Sequence, residues 1–169
     1  VSTFSPPPPQ PPARTLHADL ARRTLALWLP RLATDRIERM QPATHKTAHD
    51  GTPPETPPLA LVIAREGALR LAAVNRTASA HGLEPGMALA QSRAMLPALT
   101  TLPHDAAADA RLLEQLADWC DRYTPLVGRD PPAGLFLDIA GAAHLVGGER
   151  ALLDDLAAFM GYAPGAVVP

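Results

Sequence analysis

The sequence predicts an α/β (α+β) fold, in which helices pack over a β-sheet. Three short apolar runs, at residues 24–29, 59–64 and 69–74, have the length of buried strands. Apolar residues then recur at i, i+3 and i+4 along 112–123 and 152–160, which is the spacing of a helix with one buried face. Alternation of strands and helices along a chain is typical of layered sheet-and-helix domains.

The first half of the chain contains two proline-rich stretches, at residues 1–22 and 41–58. Residues 1–22 are expected to be a disordered lead, because they carry too few apolar side chains to offset chain entropy. The polar, proline-rich stretch 41–58 has no period of either kind and is expected to be an exposed loop. Between them we expect a strand that Pro30 ends and a short helix over 32–40. Two strands follow, joined by a hairpin connection at 65–68 that contains a glycine.

The second half starts with two small helices, predicted over 75–81 and 88–96 and separated by a turn that contains glycine and proline. Asp105 is expected to cap a long helix. A strand near 125–129 is expected to pair with 134–140, and a last helix to open at 147–149 and end at Gly161. Its apolar residues are expected to face inward: Leu152, Leu153, Leu156, Phe159 and Met160.

Composition and charge limit the function classes. The single cysteine, Cys120, cannot form an intramolecular disulfide, which favours a reduced, cytoplasmic protein. No run approaches the roughly 18 apolar residues of a membrane span, so no membrane partner is expected. The net charge of −2 hides a basic first part and an acidic second part. One cluster could form a basic nucleic-acid stripe or simply a solvated helix face: Arg22, Arg23, Arg31, Arg36 and Arg39.

A series of segments in fixed order resembles the amino-terminal palm and fingers of Y-family (translesion) DNA polymerases, in particular the polymerase-like accessory proteins of bacterial mutagenesis cassettes. The resemblance spans about residues 24–156 and is carried by 25–32, 58–62, 73–78, 82–87, 94–97, 119–125, 134–141 and 144–149. It implies a palm sheet with packed helices and a small helical fingers insertion. The palm is then expected at 23–74 and 103–161, the fingers at 75–102, and a truncated end at 162–169.

Active members of that family bind catalytic metal ions through one acid in the first strand and an Asp-Glu pair in a later strand. Aligning Leu137-Asp138 with the family's Leu-Asp puts Ala133 and Gly134 where the pair should stand. The stretch from Leu27 to Pro30, which matches the first strand, has no carboxylate. Magnesium needs hard oxygen ligands. The resemblance therefore predicts no catalytic residue, no metal and no cofactor here.

The fingers depart from the family pattern as well. Active members place Tyr and Arg three residues apart to grip the incoming triphosphate, and Arg76 and Ser79 occupy those positions here. Arg76 keeps the capacity for a charge-assisted bond to phosphate, so Arg76 and Arg31 are candidate contacts to nucleic acid or phosphate. An exposed helix arginine without such a role is an equally open interpretation of Arg76.

Other polar residues are weaker candidates for chemistry. Asp138 is expected to order its surroundings by hydrogen bonding, and His144 lacks a nucleophile nearby in sequence. The Gly-Gly pair before Glu149 fails the P-loop pattern. His45 and His49 have the i, i+4 spacing of helical zinc ligands, but their surroundings are typical of a loop.

The leading hypothesis is a non-catalytic adaptor in translesion synthesis, SOS mutagenesis and DNA repair. The resemblance implies four partners. DNA is bound weakly by this part, a sliding clamp and an error-prone replicative-type polymerase bind through regions outside this chain, and the fourth is a RecA-like accessory protein of the same cassette. One alternative is an active polymerase with relocated acids, using Asp35 or Asp138. Another is an interaction domain unrelated to DNA.

Overall fold

The computed structural model describes residues 23–40 and 56–160. The predicted lead, most of the predicted loop at 41–58 and the end from Gly161 lie outside the described residues. Residues 25–138 form one compact unit, and residues 139–160 belong with Arg23 and Thr24 to a second. No helix in the described ranges is long and apolar enough to cross a membrane.

Up to Asp138 the strands and helices follow the order that the sequence predicts, with one additional strand. Their bounds are β1 Thr24–Trp28, α1 Leu32–Met40, β2 Leu59–Arg65, β3 Ala68–Val74, α2 Arg76–Ala80, α3 Leu89–Met95, β4 Thr100–Pro103, α4 Ala106–Cys120, β5 Val127–Asp130 and β6 Gly134–Asp138. β4 is the one element of this unit that was not predicted. It is four residues long and ends in a proline, so it gives no recognisable period, and an edge strand tolerates that proline.

The strands form two three-stranded sheets, in the orders β3-β2-β4 and β1-β6-β5, where the sequence suggested one. In the first, β2 and β3 are antiparallel and β4 runs parallel to β2. The hairpin between β2 and β3 turns at Glu66 and Gly67, whose φ angles of 52° and 75° explain the glycine. The small helices α2 and α3 pack on this sheet around Leu71, Ala78 and Leu83.

In the second sheet, β5 and β6 are antiparallel, with Gly128 opposite Phe136 and Asp130 opposite Gly134. β1 is antiparallel to β6, because the Leu29 amide donates to the Ala133 carbonyl and the Ile139 amide to the Arg23 carbonyl. Directly opposite residues share a face of a sheet. This register therefore assigns every side chain of the sheet to one of two faces.

One face of the β1-β6-β5 sheet is covered by α4, which contacts β5 and β6. Leu135 and Leu137 point to this covered face and are fully buried. The Asp105 side chain caps α4 by accepting from the Ala108 amide, and this bond holds the pKa of Asp105 below its ordinary value. The buried apolar residues of α4 are Leu113, Leu116, Ala117 and Cys120.

The second unit contains a short 3₁₀ turn, Ala143–Val146, and α5, Glu149–Phe159. The turn was not predicted, whereas the helix was. Leu152, Leu156 and Met160 are buried as expected, but Leu153 is half-buried and Phe159 is 46% exposed. The predicted inward face of α5 is thus wider than the face that the structure buries. Arg23 donates two hydrogen bonds to Glu149 within this unit.

Candidate functional site

The candidate site lies where the end of β1 meets the start of β6. The Leu29 amide donates to the Ala133 carbonyl at 2.8 Å. This bond brings the stretch from Leu27 to Pro30 beside Ala133 and Gly134, so the segments that match the metal-binding segments of active polymerases are neighbours in space. Pro30 ends the strand and α1 begins two residues later.

Gly134 is closed to any side chain. A Cβ built on it would lie 2.9 Å from both the Cβ and the carbonyl oxygen of Asp130. Such distances are below van der Waals contact, and one of the two atoms belongs to the backbone, which cannot rotate away. The backbone of the β5–β6 hairpin therefore leaves no room for the Cβ atom from which a glutamate side chain would extend at this position.

Asp130 approaches this position from the neighbouring strand. Its Oδ2 lies 3.2 Å from the point where the Gly134 Cβ would be, and Asp130 is exposed. Sequence reasoning missed this residue, because it matches no acid of the family motif. Only the antiparallel register of β5 and β6 places its carboxylate there.

The residues present do not fit a pair of catalytic magnesium ions. Ala133, Gly134 and the stretch from Leu27 to Pro30 offer no side-chain oxygen. Among the described residues, no group of three or more His, Cys, Asp and Glu side chains could hold a metal ion. Asp130 supplies a single carboxylate, whereas two-metal chemistry needs several to clamp the attacking and leaving oxygens.

A cavity of about 400 Å³ opens beside the same strand end. Its walls come from the end of β1, α1, β3, the first turns of α4 and the β5–β6 turn, and they include Leu29, Pro30 and Ala133. The part of the cavity wall that is formed by residues matching the catalytic positions is apolar. A triphosphate with its cations would gain no compensating ligands from these three side chains.

Asp109 is the polar centre of the cavity wall. Its Oδ1 accepts from Arg36 Nε at 2.7 Å, and its Oδ2 lies 2.8 Å from His104 Nε2. The side chains of Arg36 and Asp109 are only 13% and 9% exposed. Sequence reasoning missed this cluster. It grouped Arg36 with arginines of either a basic stripe or a solvated helix face, and both interpretations were wrong for Arg36, because its side chain turns inward to join α1 to α4.

The two candidate phosphate contacts lie at the starts of different helices. Arg31 directly precedes α1, where its carbonyl accepts from the Asp35 amide, and its side chain is half-buried. Arg76 is the first residue of α2 and is exposed, as is Ser79. Their roles as phosphate contacts stay predictions.

Asn75 is a structural residue that sequence reasoning did not single out. It is 1% exposed, and its Oδ1 accepts from the amides of Leu59 and Ala78. Its Nδ2 donates to Glu38 Oε1 and to the Pro57 carbonyl. An asparagine directly before a helix was the available signal, since asparagine is a preferred N-cap. It ties α2 to β2 and α1.

The remaining candidates lie at other positions of the sequence or outside the described residues. Asp35 is half-buried in the first turn of α1. Asp138 is half-buried at the end of β6, and its amide donates to the Leu126 carbonyl at 3.0 Å. His144 is exposed in the 3₁₀ turn of the second unit. His45 and His49 lie outside the described residues.

The fold and the arrangement of this site define the class: a Y-family polymerase-like palm with a small fingers insertion. The insertion ternary complex of Dbh DNA polymerase superposes with a TM-score of 0.60 at 14% identity, covering 81% of this chain and 37% of that chain. DinB from Sulfolobus solfataricus gives a TM-score of 0.55 at 14% identity, covering 81% and 36%. These likenesses establish the fold.

The family follows from the sequence comparison. The model of the impB/mucB/samB family matches residues 53–160, and this chain belongs to that family. Protein ImuB of Caulobacter vibrioides is 53% identical over 75 residues, which are 44% of this chain and 16% of that protein. The matched segment is therefore about a sixth of this curated relative, and about a third of the Dbh polymerase aligns with the present chain.

Proposed function

We propose that this chain is the palm-and-fingers part of a non-catalytic, ImuB-type accessory protein. In this proposal it acts in translesion synthesis and damage-induced mutagenesis as an adaptor for an error-prone polymerase. It keeps the shape of a polymerase palm, and the partner supplies the chemistry. Membership of the impB/mucB/samB family supports a role in DNA damage tolerance over the alternative of a domain unrelated to DNA.

The observation that carries the proposal is the closed backbone at Gly134. A shift of the alignment by one residue can make an acid look absent from its position. A backbone with no room for a Cβ, however, leaves no place for a ligand side chain. The neighbouring Ala133 and the stretch from Leu27 to Pro30 add no oxygen ligands. Ala133 and Gly134 lie beside the stretch from Leu27 to Pro30 in the structure, so oxygen ligands are missing from both segments at the same place.

The proposed partners follow from the family resemblance. DNA is the partner of the palm and fingers, bound weakly by this part of the protein. The sliding clamp and the error-prone replicative-type polymerase are proposed to bind regions outside this chain. A RecA-like accessory protein of the same cassette is a further proposed partner, and all of these contacts are proposed to form in the cytoplasm. Arg31 and Arg76 are the proposed phosphate contacts here.

The test is primer extension by the full-length protein with magnesium or manganese, alongside DNA binding at two salt concentrations. We expect DNA binding that weakens with salt, because phosphate contacts release counterions, and no templated incorporation. Incorporation above the level of a matched preparation carrying Asp138→Asn or Asp130→Asn would overturn the adaptor function.

A relocated-acid polymerase is the second candidate, and Asp130 is the observation that favours it. Its carboxylate lies beside the position of Gly134, although the sequence had suggested Asp35 or Asp138 for this role. In that case Asp130→Asn would abolish incorporation, whereas Asp35→Asn would leave it unchanged. The single carboxylate makes this candidate the weaker of the two.

A further inference from the structure

We propose that the face of the β1-β6-β5 sheet opposite α4 docks a basic amphipathic helix of a partner protein. The apolar side of that helix lies on Trp28, Phe136 and Leu126, and its Lys or Arg side chains lie beside two acids. This inference rests on the proposed function and names the kind of segment that the adaptor holds. We call this surface the open face, and its residues in the larger unit are Ala26, Trp28, Leu126, Gly128, Asp130, Gly134, Phe136 and Asp138.

Three large apolar side chains of the open face are exposed, one at each strand of the sheet. Trp28 on β1 is 76% exposed, Phe136 on β6 46%, and Leu126, directly before β5, 63%. Strand alternation places Phe136 on this face, because Leu135 and Leu137 on either side of it are fully buried. Large exposed apolar groups gathered on one surface mark a binding site, whereas scattered ones are ordinary.

The strand register arranges these three side chains in a diagonal stripe. Trp28 is opposite Gly134, which lies two residues before Phe136 on β6. Leu126 is opposite Asp138, which lies two residues after Phe136. Diagonal neighbours on adjacent strands are about 7–8 Å apart, so the stripe is about 15 Å long. A helix rises about 1.5 Å per residue, and about three of its turns therefore match the stripe.

Two acids flank the stripe, one on each side. Asp130 is exposed and lies in the same row of the sheet as Trp28, whereas Asp138 is half-buried and lies in the row of Leu126. The eight residues of the open face include no Lys or Arg. This charge repels a phosphate backbone and favours Lys or Arg at both edges of the bound segment.

The one arginine of β5 belongs to the covered face. Arg129 alternates with Gly128 and Asp130 along the strand, and it donates to Glu114 on α4 at 2.9 Å. Asp130 therefore shares its face with no basic residue of its own strand. An apolar centre with charged residues at its rim is the usual composition of a protein–protein interface, and here the sign of the charge selects a cationic partner.

The backbone of the sheet favours a helix over an extended segment. Within a sheet the amides and carbonyls bond to neighbouring strands, so a face offers an extended segment few main-chain partners. A helix satisfies its own backbone groups. The other face of this sheet already holds such a helix: α4 contacts β5 and β6, and its buried residues include Leu113, Leu116 and Cys120, at i, i+3 and i+7.

The test uses three fluorescein-labelled synthetic peptides of about 14 residues, or about four helical turns. The Lys-flanked peptide carries a leucine stripe at i, i+3, i+4 and i+7 with lysines on both sides, and the Glu-flanked peptide carries the same stripe between glutamates. The scrambled peptide has the composition of the first without its stripe. Fluorescence anisotropy follows binding to the full-length protein. We expect the Lys-flanked peptide to bind at least about 10-fold more tightly than either of the others.

The apolar stripe is tested by truncation. Trp28→Ala should weaken binding of the Lys-flanked peptide about 10- to 100-fold, because aromatic anchors carry much of the energy of such interfaces. Phe136→Ala and Leu126→Ala should weaken it in the same direction. The matched control is Leu69→Ala, which truncates a 50% exposed leucine of the other sheet and should leave the affinity unchanged. Thermal unfolding shows whether each variant is folded.

The acids are tested by charge reversal. Asp130→Lys should lower the affinity for the Lys-flanked peptide and raise it for the Glu-flanked peptide, and both changes should shrink at high salt because exposed charges are screened. The control is Glu84→Lys, which reverses an exposed acid between α2 and α3 and should leave the preference unchanged. A preference that ignores Asp130→Lys, or unchanged affinity of folded Trp28→Ala and Phe136→Ala, would overturn the docking surface.

Other occupants of the open face are outcomes of the same experiments. Oligodeoxythymidine that displaces the Lys-flanked peptide and loses affinity in Trp28→Ala would assign the surface to DNA and overturn the docking of a helix. Concentration-dependent self-association in sedimentation, lost in Trp28→Ala, would assign it to a second copy of the chain, with the same consequence. Primer extension is read separately: templated incorporation removes the proposed adaptor function, whereas peptide binding that ignores Trp28 removes only the docking surface. The two failures are therefore distinguishable.

Discussion

The two faces of the β1-β6-β5 sheet differ sharply, although they share the same strands. Leu135 and Leu137 are fully buried under α4, while Phe136, between them, is half-exposed, and Trp28 is largely exposed. Burial of apolar side chains stabilises the fold roughly in proportion to the area removed from water. The covered face therefore carries most of the stability of the sheet, whereas the open face contributes less to it.

The largest effect is expected at the polar cluster that anchors α4 over the covered face. Asp109→Ala leaves the buried Arg36 guanidinium without its carboxylate, which costs about 3–5 kcal/mol of unfolding free energy. Urea unfolding followed by circular dichroism measures the loss. The matched control is Glu114→Ala on the same helix, whose ion pair with Arg129 of β5 is exposed. The expected change there is about 0.5 kcal/mol.

Equal losses in Asp109→Ala and Glu114→Ala would contradict the assignment of Asp109 to the interior. Asp109→Asn sharpens the test, since it keeps one hydrogen-bond acceptor while removing the charge. Its stability should lie between those of the parent chain and Asp109→Ala.

The contrast between the faces themselves is tested at two adjacent residues. Leu137→Ala should cost about 2–5 kcal/mol, because it removes a fully buried side chain and leaves a cavity. Phe136→Ala removes a larger side chain from the open face and should cost about 1 kcal/mol or less. The same urea unfolding measures both. A larger loss in Phe136→Ala would show that the open face is covered in solution.

Gly134 and Gly128 lie on the open face and provide a third comparison. Gly134→Ala forces a Cβ to within 2.9 Å of the Asp130 backbone and should cost about 1–3 kcal/mol. The Cβ of Gly128→Ala meets Phe136 at an ordinary 3.9 Å, so stability should change by about 0.5 kcal/mol or less. If Gly134→Ala were as stable as Gly128→Ala, the closed backbone would no longer support the adaptor function.

The order of elements and the core helix could be predicted because each depends on local pattern. α1 begins and ends at the predicted residues, and Asp105 caps α4 as its sequence position indicates. The division into two sheets, the strand β4 and the approach of Asp130 to Gly134 could not be predicted. These features depend on pairing between residues that are distant in sequence, or on where a side chain lies, and a local pattern of apolar residues reveals neither.

The candidate site shows the same limit. Residue types alone revealed that Ala133 and Gly134 lack ligand oxygens, but not that Gly134 has no space for a side chain. Arg36 was predicted to be exposed because an arginine on a helix usually is. Its burial requires a partner from another helix, Asp109, which lies 73 positions further along the sequence.

The smallest effect is expected at Cys120, which lies on α4 under the covered face and is 1% exposed. Burial, with the charge of Asp121 adding to it, raises the pKa of this thiol from 9.0 to about 11. In the folded chain the thiol stays protonated between pH 9 and 11, whereas in the unfolded chain it ionises. The contribution to stability is therefore complete below pH 9 and is lost as the pH rises through about 11.

We expect iodoacetamide at pH 9 to label Cys120 in urea much faster than in the native chain, and the alkaline loss of stability to be shallower in Cys120→Ala. Rapid labelling of the native chain would place this thiol at the surface and would break the assignment of α4 to the covered face.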